Sequence, residues 1–135
     1  MHICYGYGIK ANNDWKRTLG GEWRQYEQTF PHLARSKIDQ VSLECHHSHV
    51  PASLMALLKG KTVQVGAIDV ASDIVEKPEE VAACLKGALE FVPAEKLIAS
   101  TNCGMAPMKR EIAYAKLQAL GAGAALLRKE LGVRT

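Results

Sequence analysis

Short apolar runs alternate along this chain with longer stretches of helical periodicity, and that alternation constrains the fold more than any other property of the sequence. The runs are Ile3 to Tyr5, Gln40 to Glu44, Thr62 to Ile68 and Lys96 to Ser100. In the second, Val41 and Leu43 alternate with Ser42 and Glu44, the period of a strand. Between the runs, apolar residues recur at spacings of three and four. Trp23, Tyr26, Phe30 and Leu33 mark a helix from about Glu22 to Arg35, which Pro31 is expected to kink or divide. A polar loop from Lys10 to Asn13 precedes it, and a short helix from Ala52 to Lys59 follows the second run.

Pro78 opens a further helix, with Glu79 and Glu80 in the first turn where the helix dipole favours anions. It is expected to run to about Phe91 and to bury Val81, Leu85, Ala88 and Leu89. The last helix, about Met108 to Leu131, turns Ile112, Ala115, Leu117, Leu120, Ala124 and Leu127 inward. Gly121 and Gly123 inside it each cost about 1 kcal/mol against Ala, so close packing against a neighbour is the expected reason for both. Strand followed by helix, four times over, is the pattern of βα units feeding a parallel sheet. A closed barrel of eight such units takes about 250 residues, so 135 residues supply about half of one. No linker, repeat or low-complexity tract divides the chain, and residues 1–135 read as a single segment.

Composition excludes several classes of function. A net charge of +3, from 17 Lys+Arg against 14 Asp+Glu, is too small and too dispersed to predict a nucleic-acid or anionic-lipid partner. No apolar run is long enough to span a membrane, and Met1-His2-Ile3-Cys4 has neither the basic nor the apolar region of a secretory signal, so a cytoplasmic location is expected. Cys4, Cys45, Cys84 and Cys103 are far apart with no CxxC pair, which points to metal binding or burial instead of disulfides.

Residues two apart in a strand share a face, so His2 and Cys4 aim an imidazole and a thiol in one direction. Glu44 closes the second strand and Cys103 follows the fourth, and strand C-termini converge on the functional rim of parallel α/β folds. One nitrogen, one oxygen and two sulfurs suit tetrahedral zinc better than magnesium, calcium or copper. The competing reading is that these are ordinary strand residues and a small buried thiol. Asp69 ends the third strand and either orients an imidazole or a substrate amine or serves as a turn residue; Asn102 either steadies the Cys103 turn or marks a turn before Gly104. His46, His47 and His49 read as solvated or substrate-loop histidines, with direct metal ligation as the alternative. Cys45 and Cys84 read as structural, as do Trp15 and Trp23, while Tyr5 and Tyr7, interleaved with Gly6 and Gly8, either pack a loop or cover a substrate.

The segments His2-Ile3-Cys4-Tyr5, Val41-Ser42-Leu43-Glu44, Val65-Gly66-Ala67-Ile68-Asp69-Val70 and Thr101-Asn102-Cys103-Gly104-Met105, in that order, resemble the C-terminal catalytic part of cobalamin-independent methionine synthase. The likeness is strongest to the short core forms that lack the duplicated N-terminal barrel, and it extends through Lys116 to Ala122. It implies the C-terminal half of a (β/α)8 barrel, with His2, Cys4, Glu44 and Cys103 as zinc ligands and Asp69 as a candidate catalytic residue. The implied reaction is zinc-dependent methyl transfer to the thiol of homocysteine to form methionine, the chemistry of a 5-methyltetrahydropteroyltriglutamate-homocysteine S-methyltransferase. Donor candidates are methyltetrahydrofolate, a methylated corrinoid, or a methyl group released by an accessory protein. Glu44, the hardest of the four ligands, is the one expected to loosen when substrate sulfur enters.

In the family, strands ahead of the HxC pair carry the groups that hold the homocysteine amino and carboxylate ends. The expectation is therefore a C-terminal fragment, or the product of a truncated reading frame, at best weakly active alone, with the missing N-terminal half of the barrel supplied by a second copy or by a separate N-terminal chain. A non-catalytic remnant or zinc-binding interaction module, and a zinc-thiolate methyltransferase with another thiol acceptor, are the rival readings.

Overall fold

The computed structural model describes residues 1–133. Four parallel strands form one sheet in the order β1 (His2–Ile3), β2 (Gln40–Glu44), β3 (Thr62–Gly66) and β4 (Leu97–Ser100), each beside its neighbour in sequence. The helices are α1 (Lys10–Lys16), α2 (Tyr26–Arg35), α3 (Pro78–Ala88) and α4 (Arg110–Glu130), with 3₁₀ turns at Ala52–Leu58 and Ala94–Lys96. This is the α/β architecture of an open segment of a (β/α) barrel, and it agrees with the alternation in the sequence. Among the described residues no helix is long and apolar enough to cross a membrane.

Strand register gives the two faces of the sheet different roles. Val41, Leu43, Val63 and Val65 point one way and are buried in the core with Leu54, Met55, Leu58, Val81, Leu85 and Leu127. The register His2↔Ser42, Ser42↔Gln64 and Gln64↔Ile98 defines the other face. There Gln64 Nε2 donates to Gln40 Oε1 at 2.9 Å, and Ile98 is 40% exposed. His2, Cys4 and Glu44 belong to this second face, the one turned toward the interior of a barrel.

Several elements differ from expectation for identifiable reasons. β1 stops at Ile3 because the Tyr5 backbone N–H leaves the ladder and donates to Glu44 Oε1 at 2.6 Å. The expected loop at Lys10–Asn13 is instead the start of α1, a helix without a buried residue and so without an apolar stripe to reveal it. Exposed pairs Lys10–Asp14 at 2.5 Å and Arg17–Asp14 at 2.8 Å line its surface. α2 begins at Tyr26, not Glu22, because Trp23 N–H is tied to His49 C=O at 2.9 Å. Pro31 does not divide α2: burial of Tyr26, Phe30 and Leu33 on one face outweighs the single bond the proline forfeits.

α4 departs from the predicted inner face at Leu117, while Ala124 and Leu127 are buried as expected and Leu120 packs against the core. Its buried residues are Lys116, Ala119, Gly123, Ala124 and Leu127, whereas Leu117 is 50% exposed. Gly123 admits the close approach of α3, since a Cβ there would stand 2.5 Å from Val81 Cβ and 2.6 Å from Pro78 C=O. Gly121, by contrast, faces open space, so close packing explains one of the two glycines and not the other.

Candidate metal centre

β1 and the turn after β4 bring His2, Cys4 and Cys103 together at the C-terminal end of the uncovered face. One ring nitrogen of His2 and the two sulfurs lie within 4.8 Å of one another. Cys4 Sγ and Cys103 Sγ are 3.5 Å apart although 99 residues separate them in sequence. His2 Nδ1 meets Ser42 Oγ at 3.1 Å, an outer contact that orients the imidazole.

Asn102 places Cys103. Fully buried, it ties the turn after β4 to the ends of β2 and β3: side-chain Oδ1 accepts from Cys45 N–H at 3.0 Å, Nδ2 donates to His46 C=O at 2.8 Å, and its backbone N–H donates to Ile68 C=O at 2.9 Å. This crossing passes directly over Gly66, where an added Cβ would be 2.5 Å from Asn102 Oδ1 and 2.7 Å from Leu43 C=O. Asn102 thus does more than mark a turn, and Gly66 is what admits it.

Glu44 lies beside this group without joining it. Its carboxylate is buried, accepting from Tyr5 N–H at 2.6 Å and from the Tyr7 hydroxyl at 2.5 Å. Burial, together with the bond to Glu44, pushes the Tyr7 hydroxyl well above the ordinary phenolic range, so Tyr7 stays a donor at neutral pH. Tyr5 itself is core, packed against Trp23, Tyr26 and Trp15 at centroid distances of 4.7, 4.9 and 5.7 Å. Tyr7 alone of the two faces the cavity described next.

An open cavity of about 490 Å³ adjoins Glu44 and is walled by Tyr7, Lys16, Trp23, His47, His49 and Asp69. Asp69 Oδ2 is 3.4 Å from His47 Nδ1, while Oδ1 accepts the Ala71 N–H at 2.8 Å. His47 holds a left-handed backbone with φ of 54°, which costs a non-glycine residue roughly 1 kcal/mol or more. Its ring stacks on His46 at 3.8 Å, and His49 stacks on Trp23 at 4.8 Å. Burial, then the neighbouring His47, lowers the His46 pKa, and His46 Nε2 is buried without a hydrogen-bond partner among the described residues. Cys45 and Cys84 are shielded thiols raised above their ordinary pKa, Cys84 to about 11 by burial. Neither is in the group formed by His2, Cys4 and Cys103.

The donor set fits a zinc ion. Tetrahedral zinc with bonds of about 2.3 Å to sulfur holds two thiolates about 3.8 Å apart, close to the 3.5 Å observed. The Cys4 thiol is pushed up to about 11, chiefly by burial and further by Cys103 and Glu44, against a partial offset from the Gly6 backbone. Two sulfurs and a carboxylate so close repel as anions, and a cation among them reverses that repulsion.

Sequence reasoning missed one polar cluster here. Lys116 Nζ, fully buried, contacts both Glu76 carboxylate oxygens at 2.9 Å and donates to Asp69 C=O at 3.0 Å and Ile74 C=O at 2.5 Å. Its signal was a lysine on the same helical stripe as Ile112, Ala119 and Gly123.

Comparison with known proteins agrees with this geometry. The family model described as "Cobalamin-independent synthase, Catalytic domain" matches residues 23–125. A methionine synthase of Sulfurisphaera tokodaii is 30% identical over 132 residues, covering 97% of this chain and 33% of the relative. One from Saccharolobus islandicus (strain Y.G.57.14 / Yellowstone #1) is 31% identical over 133 residues, covering 97% of this chain and 35% of the relative. The solved structure of a B12-independent methionine synthase from Shewanella sp. W3-18-1, in complex with selenomethionine, superposes with a TM-score of 0.92 at 61% identity, covering 98% of this chain and 39% of that one. The chain spans about a third of the length of the curated relatives it matches. On the family match and the superposition together, this chain belongs to the cobalamin-independent methionine synthase family, as part of its catalytic domain.

Proposed function

We propose that this chain carries the zinc-binding, thiol-activating face of a methyl transfer to homocysteine that forms methionine. The observation that carries the reading is the meeting of His2, Cys4 and Cys103, with sulfurs 3.5 Å apart, in a chain of this family. Zinc bound there supplies a Lewis acid that lowers the pKa of an acceptor thiol from about 8.5 toward neutrality, which makes the sulfur a nucleophile.

The protein's own groups divide the remaining work. Cys4 and Cys103 present two sulfurs, and Ser42 holds the His2 ring. Glu44 would be the fourth and exchangeable ligand, since Tyr5 N–H and the Tyr7 hydroxyl hold its carboxylate beside the group and would hold it again once displaced. Asp69, with His47, faces the cavity and receives the cationic end of the substrate. The methyl donor is a methylated folate or a methylated corrinoid. The reaction proceeds in the cytoplasm, where thiols stay reduced. The outer edges of β1 and β4 are unpaired among the described residues, and we infer that further strands complete the barrel around this face.

Metal analysis of the wild type against Cys103→Ser tests the site, with near-stoichiometric zinc expected in the first and a large loss in the second. Absent zinc in the wild type, or unchanged zinc in the variant, overturns it. The unpaired edges favour a second reading, that the isolated chain holds zinc without turnover. Methionine formation from homocysteine and either donor, by the zinc-loaded chain alone, would exclude that one.

A further inference from the structure

Asp69 is the first residue of a loop that the sheet does not hold. β3 ends at Gly66, and the segment from Asp69 to Glu76 has no regular structure before α3. Yet both backbone groups of Asp69 are bound to one buried pair. Its N–H donates to Glu76 Oε1 at 2.8 Å, and its C=O accepts from Lys116 Nζ at 3.0 Å. Lys116 also reaches the Ile74 C=O at 2.5 Å, so the loop is held near both of its ends. The two charges neutralise each other at 2.9 Å, and neither side chain faces the cavity. A buried pair needs its remaining protons and lone pairs bonded, and here two of those bonds are supplied by the N–H and the C=O of one residue, Asp69, so the pair and the Asp69 backbone are fixed together. With the main chain so fixed, the Asp69 carboxylate is delivered to Ala71 N–H and His47 Nδ1 at the cavity wall.

We propose that the buried Lys116–Glu76 pair is a positioning device for the cavity: by clamping the backbone of Asp69 it sets where the Asp69 carboxylate meets His47. This rests on the proposed role of Asp69 at the substrate face, but its test needs neither zinc nor turnover. Lys116 and Glu76 are positioning residues, because they act through Asp69 and touch nothing in the cavity.

The experiment is carried out on the full chain without metal. In the wild type, hydrogen exchange should protect the Asp69 amide at least tenfold more than those of Ser72 and Asp73 in the same loop; equal exchange overturns the proposal. Imidazole ¹⁵N spectra then report the tautomer of His47, which the Asp69 contact biases toward protonated Nδ1. In Lys116→Met/Glu76→Gln, which removes both charges together, the His47 tautomer should shift to that of Asp69→Asn, and Lys116→Arg should restore most of the wild-type spectrum. A folded double variant with an unchanged His47 spectrum overturns the proposal. Should the double variant not fold, the exchange result on the wild type decides alone. Loss of zinc binding or of methyl transfer leaves both readouts intact, so failure of the proposed reaction and failure of the clamp are told apart.

Discussion

The Lys116–Glu76 pair and the His2, Cys4, Cys103 group both place ionisable atoms at the C-terminal ends of the strands, and they differ in how completely the chain satisfies them. Lys116 finds Glu76 and two carbonyls inside the protein. The two thiols find mainly each other, and burial pushes Cys4 up to about 11. A cluster whose charges cancel internally can hold the main chain around it, as this pair holds Asp69, whereas one that gathers potential anions without a cation leaves a place for a cation from outside.

The contrast is broken most forcefully by removing one member from each cluster. Lys116→Met strands the Glu76 carboxylate in the core and should cost about 3–5 kcal/mol in denaturant unfolding. Cys4→Ser should change the stability of the metal-free chain by no more than about 1 kcal/mol, yet abolish any rise in Tm on adding zinc. Comparable losses of metal-free stability in the two variants would erase the distinction between them.

Next in size is the packing that seats Lys116. Gly123→Ala drives a methyl into Val81 and Pro78 and should destabilise by about 1–3 kcal/mol, while Gly121→Ala, which meets nothing, should be neutral or stabilising by up to about 1 kcal/mol. Thermal melts of the two variants side by side check the α3–α4 contact that holds the clamp in register.

These contrasts also mark what was legible in the sequence. Parallel βα order, the strand positions and the meeting of His2, Cys4 and Cys103 follow from alternation, the two-residue period and the convergence of strand ends, all of them local or topological rules. The detachment of Glu44 from that group was not legible, because it depends on Tyr5 N–H leaving the β1 ladder and on the Tyr7 hydroxyl folding back. The inner face of α4 was misjudged at Leu117 because hydrophobicity favours leucine over lysine, and only the three-dimensional partners of Lys116 make its burial tolerable. α1 escaped notice since it buries nothing.

A comparable effect sharpens the account of Glu44. Tyr7→Phe removes one hydrogen bond to a carboxylate and should cost about 1.5–3 kcal/mol in the metal-free chain; with zinc present the penalty should shrink, because Glu44 then has the metal to bind. An equal penalty with and without zinc would show that Glu44 never leaves Tyr7.

A last effect concerns a thiol outside the His2, Cys4, Cys103 group. Cys84, raised from 9.0 to about 11 by burial, is neutral in folded and unfolded chains below pH 9. Between those two values the unfolded chain loses its proton first, so stability should decline as pH rises across that window. Cys84→Ala should flatten the decline in pH-dependent melts, and an unaltered slope would remove Cys84 as its source.

The separation of 99 positions between Cys4 and Cys103 also carries a consequence in time. At synthesis rates of about 5–20 residues per second, the first sulfur leaves the ribosome some 5–20 s before the last. Through that interval Cys4 has no partner, and it acquires one only when β4 docks and Asn102 crosses over Gly66. On the proposed zinc site, metal capture would thereby be a late event in the life of the chain, since a nascent polypeptide stalled before β4 lacks Cys103.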